Sequence, residues 1–173
     1  MRVIEHRRHS IRPISSPHLN QKGVDLARKV GNTMRKFNYI ITSTIPRAFE
    51  TAIAMGFAVS ETIKQLGPFS SSVTQEVSWD SGFKQIAQAF QNNGATTLWV
   101  KSLASIFVNI ANKLPEDGSA LVISHGGIVE GSAIGCCPNF DFSSWDRSVD
   151  YCEGVNLVFK HDEFVSLKFL EAL

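Results

Sequence analysis

The sequence predicts an α/β protein, a three-layer α/β/α sandwich whose mostly parallel central sheet of about 5–6 strands carries helices on both faces. Two observations carry this expectation. Short apolar runs suited to buried strands alternate with longer stretches of helical periodicity. Three of those apolar runs are also followed within a few residues by His9, Arg47 or His125, where an open α/β sheet places its ligands. The length of 173 residues suits one domain, 1–173, able to bury a core without disulfide or metal staples.

The elements follow in order. Arg2-Val3-Ile4 reads as a short buried strand, broken by the cluster Glu5-His6-Arg7-Arg8-His9-Ser10-Ile11-Arg12. Leu19, Gly23, Leu26, Ala27, Val30 and Met34 recur at helical spacing, with Asn20 as the expected cap. "NYIIT" (38–42) is a second buried strand. Thr44-Ile45-Pro46 then opens a helix expected to run to about Lys64, its proline tolerated in the first turn. Residues 67–82, "GPFSSSVTQEVSWDSG", lack a period and read as a long loop with room for a short strand. Trp99, Val100, Leu103, Ile106, Phe107, Ile110, Ala111 and Leu114 form a helical stripe stopped by Pro115. "ALVIS" (120–124) is a third buried strand, followed by His125-Gly126-Gly127 and another helical pattern. Residues 155–170 read as a hairpin turning at His161-Asp162-Glu163.

Composition excludes several classes. A formal net charge of +1 gives no support to nucleic-acid or membrane-surface binding. No apolar run approaches the length of a membrane span, and the start has no apolar signal core. Cys136, Cys137 and Cys152 show neither a disulfide framework nor metal-ligand spacing, so they are read as reduced thiols in a cytoplasmic protein.

Arg8, His9, Arg47 and His125 are the candidate site residues. Each alone reads as an ordinary turn or surface residue. Together, at three strand ends, two histidines and two arginines suit an anion. Arg47 lies in a first helical turn, where a cation opposes the helix dipole unless something anionic sits nearby. Gly126 and Gly127 permit close backbone approach after His125. Arg12 and Ser15, on the loop after His9, are candidate substrate contacts together with Gly126. His6 is read as structural, His18 and His161 as surface residues, and Glu130 as an exposed helix charge. A metal site on His6, His9 and His125 is a rival reading, disfavoured by the neighbouring arginines and the absence of an adjacent carboxylate.

The same residues resemble a known family. "RRHS" (7–10) is similar to the Arg-His-Gly signature of the histidine phosphatase (phosphoglycerate mutase-like) superfamily. "HLNQKGVDLARKVG" (18–31), "ITSTIPRAFETA" (41–52) and "LVISHGGIVEG" (121–131) resemble its next three blocks, in order and over nearly the whole chain. The resemblance implies a phosphoglycerate mutase-like fold and a phosphatase without cofactor or metal. His9 would attack phosphorus, while Arg8, Arg47 and His125 hold the equatorial oxygens. A neutral His9 nucleophile would have its other nitrogen donating to a backbone carbonyl.

The sequence departs from the family at two points. Ser10 replaces the usual glycine after the histidine. The general acid, normally a glutamate of the central loop, is expected to be Glu76, by residue type and position before the tryptophan, with Asp80 the alternative if Trp79-Asp80-Ser81-Gly82 is aligned to the family's tryptophan-glutamate-glycine. The expected partner is a phosphorylated small molecule or peptide. A mutase, a protein phosphohistidine phosphatase that dispenses with the acid, and a phosphate-binding module without turnover are the alternatives.

Overall fold

The computed structural model describes residues 1–173. Six strands form one sheet: β1 (Arg2–Arg8), β2 (Tyr39–Thr42), β3 (Glu61–Thr62), β4 (Ser119–Ser124), β5 (Gly154–Lys160) and β6 (Glu163–Leu170). Their spatial order is β3-β2-β4-β1-β5-β6. The first four strands are mutually parallel; β5 runs antiparallel to β1, and β6 antiparallel to β5, at one side of the sheet. The helices are α1 (Gln21–Gly31), α2 (Pro46–Ala54), the single turn α3 (Ser71–Thr74), α4 (Gly82–Phe90), α5 (Ala95–Lys113) and α6 (Ile128–Cys136).

Strand pleating divides the apolar side chains between two layers. Leu121 and Ile123 of β4 meet Ala27 and Val30 of α1, Ala48 and Ala52 of α2, and Met55 just after it. The alternate residues Ala120 and Val122 join Ile4, Leu157 and the buried faces of α4, α5 and α6 in the larger core. Phe83, Phe107 and Ile110 are essentially solvent-free there, each stabilising the fold by about 1.5–3 kcal/mol through burial. The sandwich is therefore three-layered, as expected.

Several boundaries differ from expectation for identifiable reasons. β1 does not break at Ile4 but continues to Arg8. Its charges are accommodated face by face: Arg7 Nε donates to Glu5 at 2.6 Å on one side, while His6 enters the opposite core. α2 stops at Ala54 and not near Lys64, because Gly56, at φ +93°, ends it in the left-handed conformation. The chain after it returns as β3 beside Ile41 and Thr42. Residues 67–82 hold the turn α3 and no strand, and α4 was not foreseen. α5 begins four residues before the expected stripe. The hairpin is as read, its turn built by His161 and Asp162 at φ +51° and +64°.

This topology places β2, β4 and β1 side by side, so their carboxyl ends open onto one crevice.

Candidate active site

His9 leaves the end of β1 with its amide donating to the Ser124 carbonyl at 2.9 Å, which ties it to the end of β4. Ser10 fixes the backbone behind it. Its amide donates to the Thr51 hydroxyl of α2 at 2.9 Å, and its own hydroxyl donates to the Gly23 carbonyl of α1 at 2.7 Å. The residue replacing the expected glycine is thus a fully buried clamp between two helices and β1.

The His9 imidazole has its Nδ1 2.7 Å from the Ser10 carbonyl, so Nδ1 carries the proton. Nε2 accepts from Arg47 Nε at 3.0 Å. Burial above all, then the neighbouring His125 and the charges of Arg47 and Arg8, lower its pKa to about 2, against the raising effect of the Ser10 carbonyl. The ring is neutral at physiological pH, with its lone pair aimed at the Arg47 guanidinium.

His125 follows β4, its ring 5.2 Å from that of His9. Its Nε2 lies 2.8 Å from the Ser43 hydroxyl at the end of β2. That hydroxyl also accepts from the Ile45 amide at 3.3 Å; where its own proton bonds Nε2, the proton of His125 sits on Nδ1. The Nδ1 atom is buried and has no partner in the protein. Burial first, then the charges of Arg47, Arg8 and Arg12, lower this histidine to about 3.

Arg8 Nε is likewise buried without a partner, while Nη1 donates to the Val149 carbonyl at 2.9 Å. Arg47 is half-buried in the first turn of α2, and burial followed by the charges of Arg12 and Arg8 lowers its pKa. The charges of Arg8 and Arg47 and two buried nitrogens without partners, Arg8 Nε and His125 Nδ1, thus converge beside His9. Such an arrangement is costly when empty and suits a dianion. No carboxylate joins the two histidines; the structure brings no group of three His, Cys, Asp or Glu side chains together.

His125-Gly126-Gly127 turns sharply into α6. Gly127 has φ +79°, and a Cβ there would lie 2.2 Å from the Phe69 ring, so glycine is required twice over. Beside Gly126 lies Trp79, whose carbonyl and ring edge would stand 3.2 and 3.6 Å from a Cβ at that position.

The two acid candidates separate. Glu76 turns both oxygens to the start of α5, accepting from the Ala95 and Thr96 amides at 2.8 Å each. Gly94, which precedes that helix, has no side chain to cap it, and Glu76 serves instead. The Thr96 hydroxyl and amide and the Ala95 amide hold its carboxyl below the usual range. Asp80, by contrast, adjoins Trp79 on the lip of the crevice, where it is exposed and accepts from the Ser78 hydroxyl.

The remaining candidates fall as follows. Arg12 spends Nη1 on the carbonyls of Pro13, Ile14 and Ser16, bracing its own loop while its charge still reaches Arg47 and His125. Ser15 is exposed on that loop. His6 is structural: its Nδ1 and Nε2 meet the Ser132 and Ser124 hydroxyls at 2.7 and 2.6 Å.

Two groups went unrecognised in the sequence. Glu130 is not an exposed helix charge; it is completely buried and accepts from the Gly127 and Val149 amides at 2.7 and 2.8 Å. Burial raises its pKa to about 7 against those bonds and the charge of Arg8. Tyr151, on a loop of no legible pattern, packs its ring 4.4 Å from the Arg8 guanidinium carbon and 5.8 Å from the His9 ring.

Fold and crevice together define an α/β protein with a cationic pocket at the carboxyl ends of three adjacent parallel strands. No protein-family model matches the chain, and no curated protein matches it in sequence. Solved structures do match in fold. A phosphoserine phosphatase mutant from Entamoeba histolytica, in complex with phosphoserine, is 16% identical with a TM-score of 0.71, covering 99% of this chain and 98% of its own. A phosphoglycerate mutase from Bacillus anthracis is 16% identical with a TM-score of 0.65, covering 99% and 92%. The mycobacterial glucosyl-3-phosphoglycerate phosphatase is 14% identical with a TM-score of 0.59, covering 97% and 96%. The chain has the phosphoglycerate mutase-like fold. At such identities the likeness is one of fold, and the chemistry rests on the residues. No helix is long and apolar enough to cross a membrane.

Proposed function

We propose that this protein is a metal-independent phosphomonoesterase of the histidine phosphatase type, working through a phosphohistidine on His9. The observation that carries the reading is the His9 tautomer: a neutral ring, Nδ1–H given to a backbone carbonyl, and an unprotonated Nε2 whose lone pair accepts from Arg47 beside His125 and Arg8. An imidazole in this state is a nucleophile at neutral pH.

In the reaction, Nε2 attacks phosphorus in line and the bond to the leaving oxygen breaks. Arg8 Nε and His125 Nδ1, the donors without protein partners, take the equatorial oxygens, and Arg47 moves its hydrogen bond from His9 to phosphate. Water then attacks the phosphohistidine and returns Nε2 to its starting state. For the leaving-group proton we place Asp80 ahead of Glu76, because Glu76 would have to abandon the cap of α5 to reach the pocket. The substrate is a phosphorylated small molecule or peptide.

The test is turnover of a panel of phosphomonoesters in the presence of a strong chelator, with vanadate as inhibitor. Activity that survives the chelator, falls with vanadate and vanishes in His9→Ala supports the reading. Activity that needs a divalent ion, or persists in His9→Ala, overturns it.

A further inference from the structure

The lip of the crevice carries two aromatic rings that the phosphate chemistry does not use. Trp79 lies 5.5 Å and Tyr151 4.4 Å, ring centre to guanidinium carbon, from the same Arg8. They arrive from unrelated parts of the chain and border one opening. Trp79 is 58% exposed, an unusual state for so large an apolar surface beside a buried cationic pocket.

Neither ring is there by accident of a loose loop. The Trp79 backbone closes over Gly126, and its neighbours are tied by the Ser78 amide donating to the Ser81 hydroxyl at 2.9 Å. Tyr151 is gripped on both sides. Val149 donates to buried Glu130 at 2.8 Å, Asp150 donates to Glu153 at 2.7 Å, and the Cys152 amide donates to the Arg8 carbonyl at 3.2 Å. A buried carboxylate and the end of β1 thus hold the Tyr151 ring at the mouth of the pocket.

We propose that Trp79 and Tyr151 form the subsite for the leaving group, and that the preferred leaving group is a flat aromatic one. The proposal rests on the phosphatase reading above. A phosphate held by Arg8 carries its ester substituent outward past the two rings that flank that arginine. Each ring offers a π-face or edge to a planar group, and each has an exposed carboxylate, Asp80 or Asp150, as its chain neighbour. That setting favours an uncharged ring over an anionic substituent. Arg12 is the group that would favour the opposite, although its Nη1 is already committed to three loop carbonyls.

Binding of non-hydrolysable phosphonates tests this without requiring turnover. Calorimetric titration compares 2-phenylethylphosphonate, butylphosphonate, 2-carboxyethylphosphonate and inorganic phosphate. Two aromatic contacts make the phenylethyl compound about tenfold tighter than the butyl one. In Tyr151→Leu, and separately in the exposed position Trp79→Leu, that phenyl-over-butyl ratio falls severalfold. Equal affinity for phenylethyl and butyl, a preference for carboxyethyl, or a ratio unmoved in both variants overturns the subsite while leaving phosphate binding, and so the phosphatase reading, intact. Failure of inorganic phosphate itself to bind overturns both.

Discussion

Four buried titratable groups make the stability of this fold strongly dependent on pH, and His6 is the one to perturb. His6, His9 and His125 are 0%, 4% and 6% exposed, with pKa values lowered from 6.5 to about 3, 2 and 3. A histidine whose folded pKa lies below its unfolded one stabilises the fold above pH 6.5, and that contribution drains away as pH falls toward 3. From pH 8 to pH 5 each histidine removes about 2 kcal/mol. Glu130 works in the opposite sense. Its carboxyl is raised from 4.5 to about 7, so its contribution is present in acid and is lost as pH rises through that window. Over the same interval acidification returns about 2–3 kcal/mol through Glu130. The four together therefore cost roughly 3–4 kcal/mol at pH 5, a large share of a typical stability of about 5–15 kcal/mol.

His6→Gln isolates one histidine and keeps donors and acceptors for the Ser124 and Ser132 hydroxyls. It is expected to be less stable than the wild type at pH 8 by about 1–3 kcal/mol. Between pH 8 and pH 5 it should lose about 2 kcal/mol less than the wild type, closing that gap. Urea unfolding in phosphate-free buffer, with m compared across pH, measures both. Parallel pH profiles for the two proteins would refute the account of His6 as a buried neutral ring.

Other expectations are local. Asp80→Asn should slow alkyl phosphates by roughly 10²–10⁴-fold while largely sparing an activated aryl phosphate, as loss of a general acid does; equal slowing of both would remove Asp80 from that role. Glu76→Gln should instead act on folding, lowering the melting temperature through the weakened start of α5, read by thermal unfolding alongside unchanged leaving-group dependence. Arg47→Lys replaces a planar fork with a point charge and should lower kcat/KM by about 10²–10³-fold with folding preserved, checked by kinetics and circular dichroism. Gly127→Ala forces a Cβ into a left-handed position against Phe69 and should cost more than about 2 kcal/mol in urea unfolding.

β2 and β4 were legible because they are buried on both faces and read as nearly uninterrupted apolar runs, at 38–42 and 120–124. The pocket was legible for a related reason: His9, Arg47 and His125 stand immediately after such runs, where the topology must bring them together. β1 was misjudged because its charges alternate between faces, and a Glu5–Arg7 pair on one side looks in sequence like the end of a strand. The second helix reads too long in sequence because Gly56 stops it through a backbone angle and not a pattern. Glu130 was hidden for a deeper reason. Its position in a helix after His125 looked ordinary, and only the tertiary fold shows two backbone amides converging on it from Gly127 and Val149. Tyr151 lies in a stretch without periodicity, fixed by contacts with Glu130, Glu153 and β1 that no local signal announces. Glu76 shows the converse limit, since matching a residue type to a role does not reveal that its carboxylate is engaged by another helix.

The central claim is that His9 carries the phosphoryl group. Rapid acid-free quenching of the enzyme with a radiolabelled phosphomonoester, followed by peptide mapping, tests it directly. The account predicts a labelled phosphoenzyme that is labile in acid, stable in base and located on His9, and that is absent from His9→Ala. Label on a serine, on an aspartate or on His125, or turnover with no labelled enzyme under conditions where hydrolysis is rate-limiting, would contradict it.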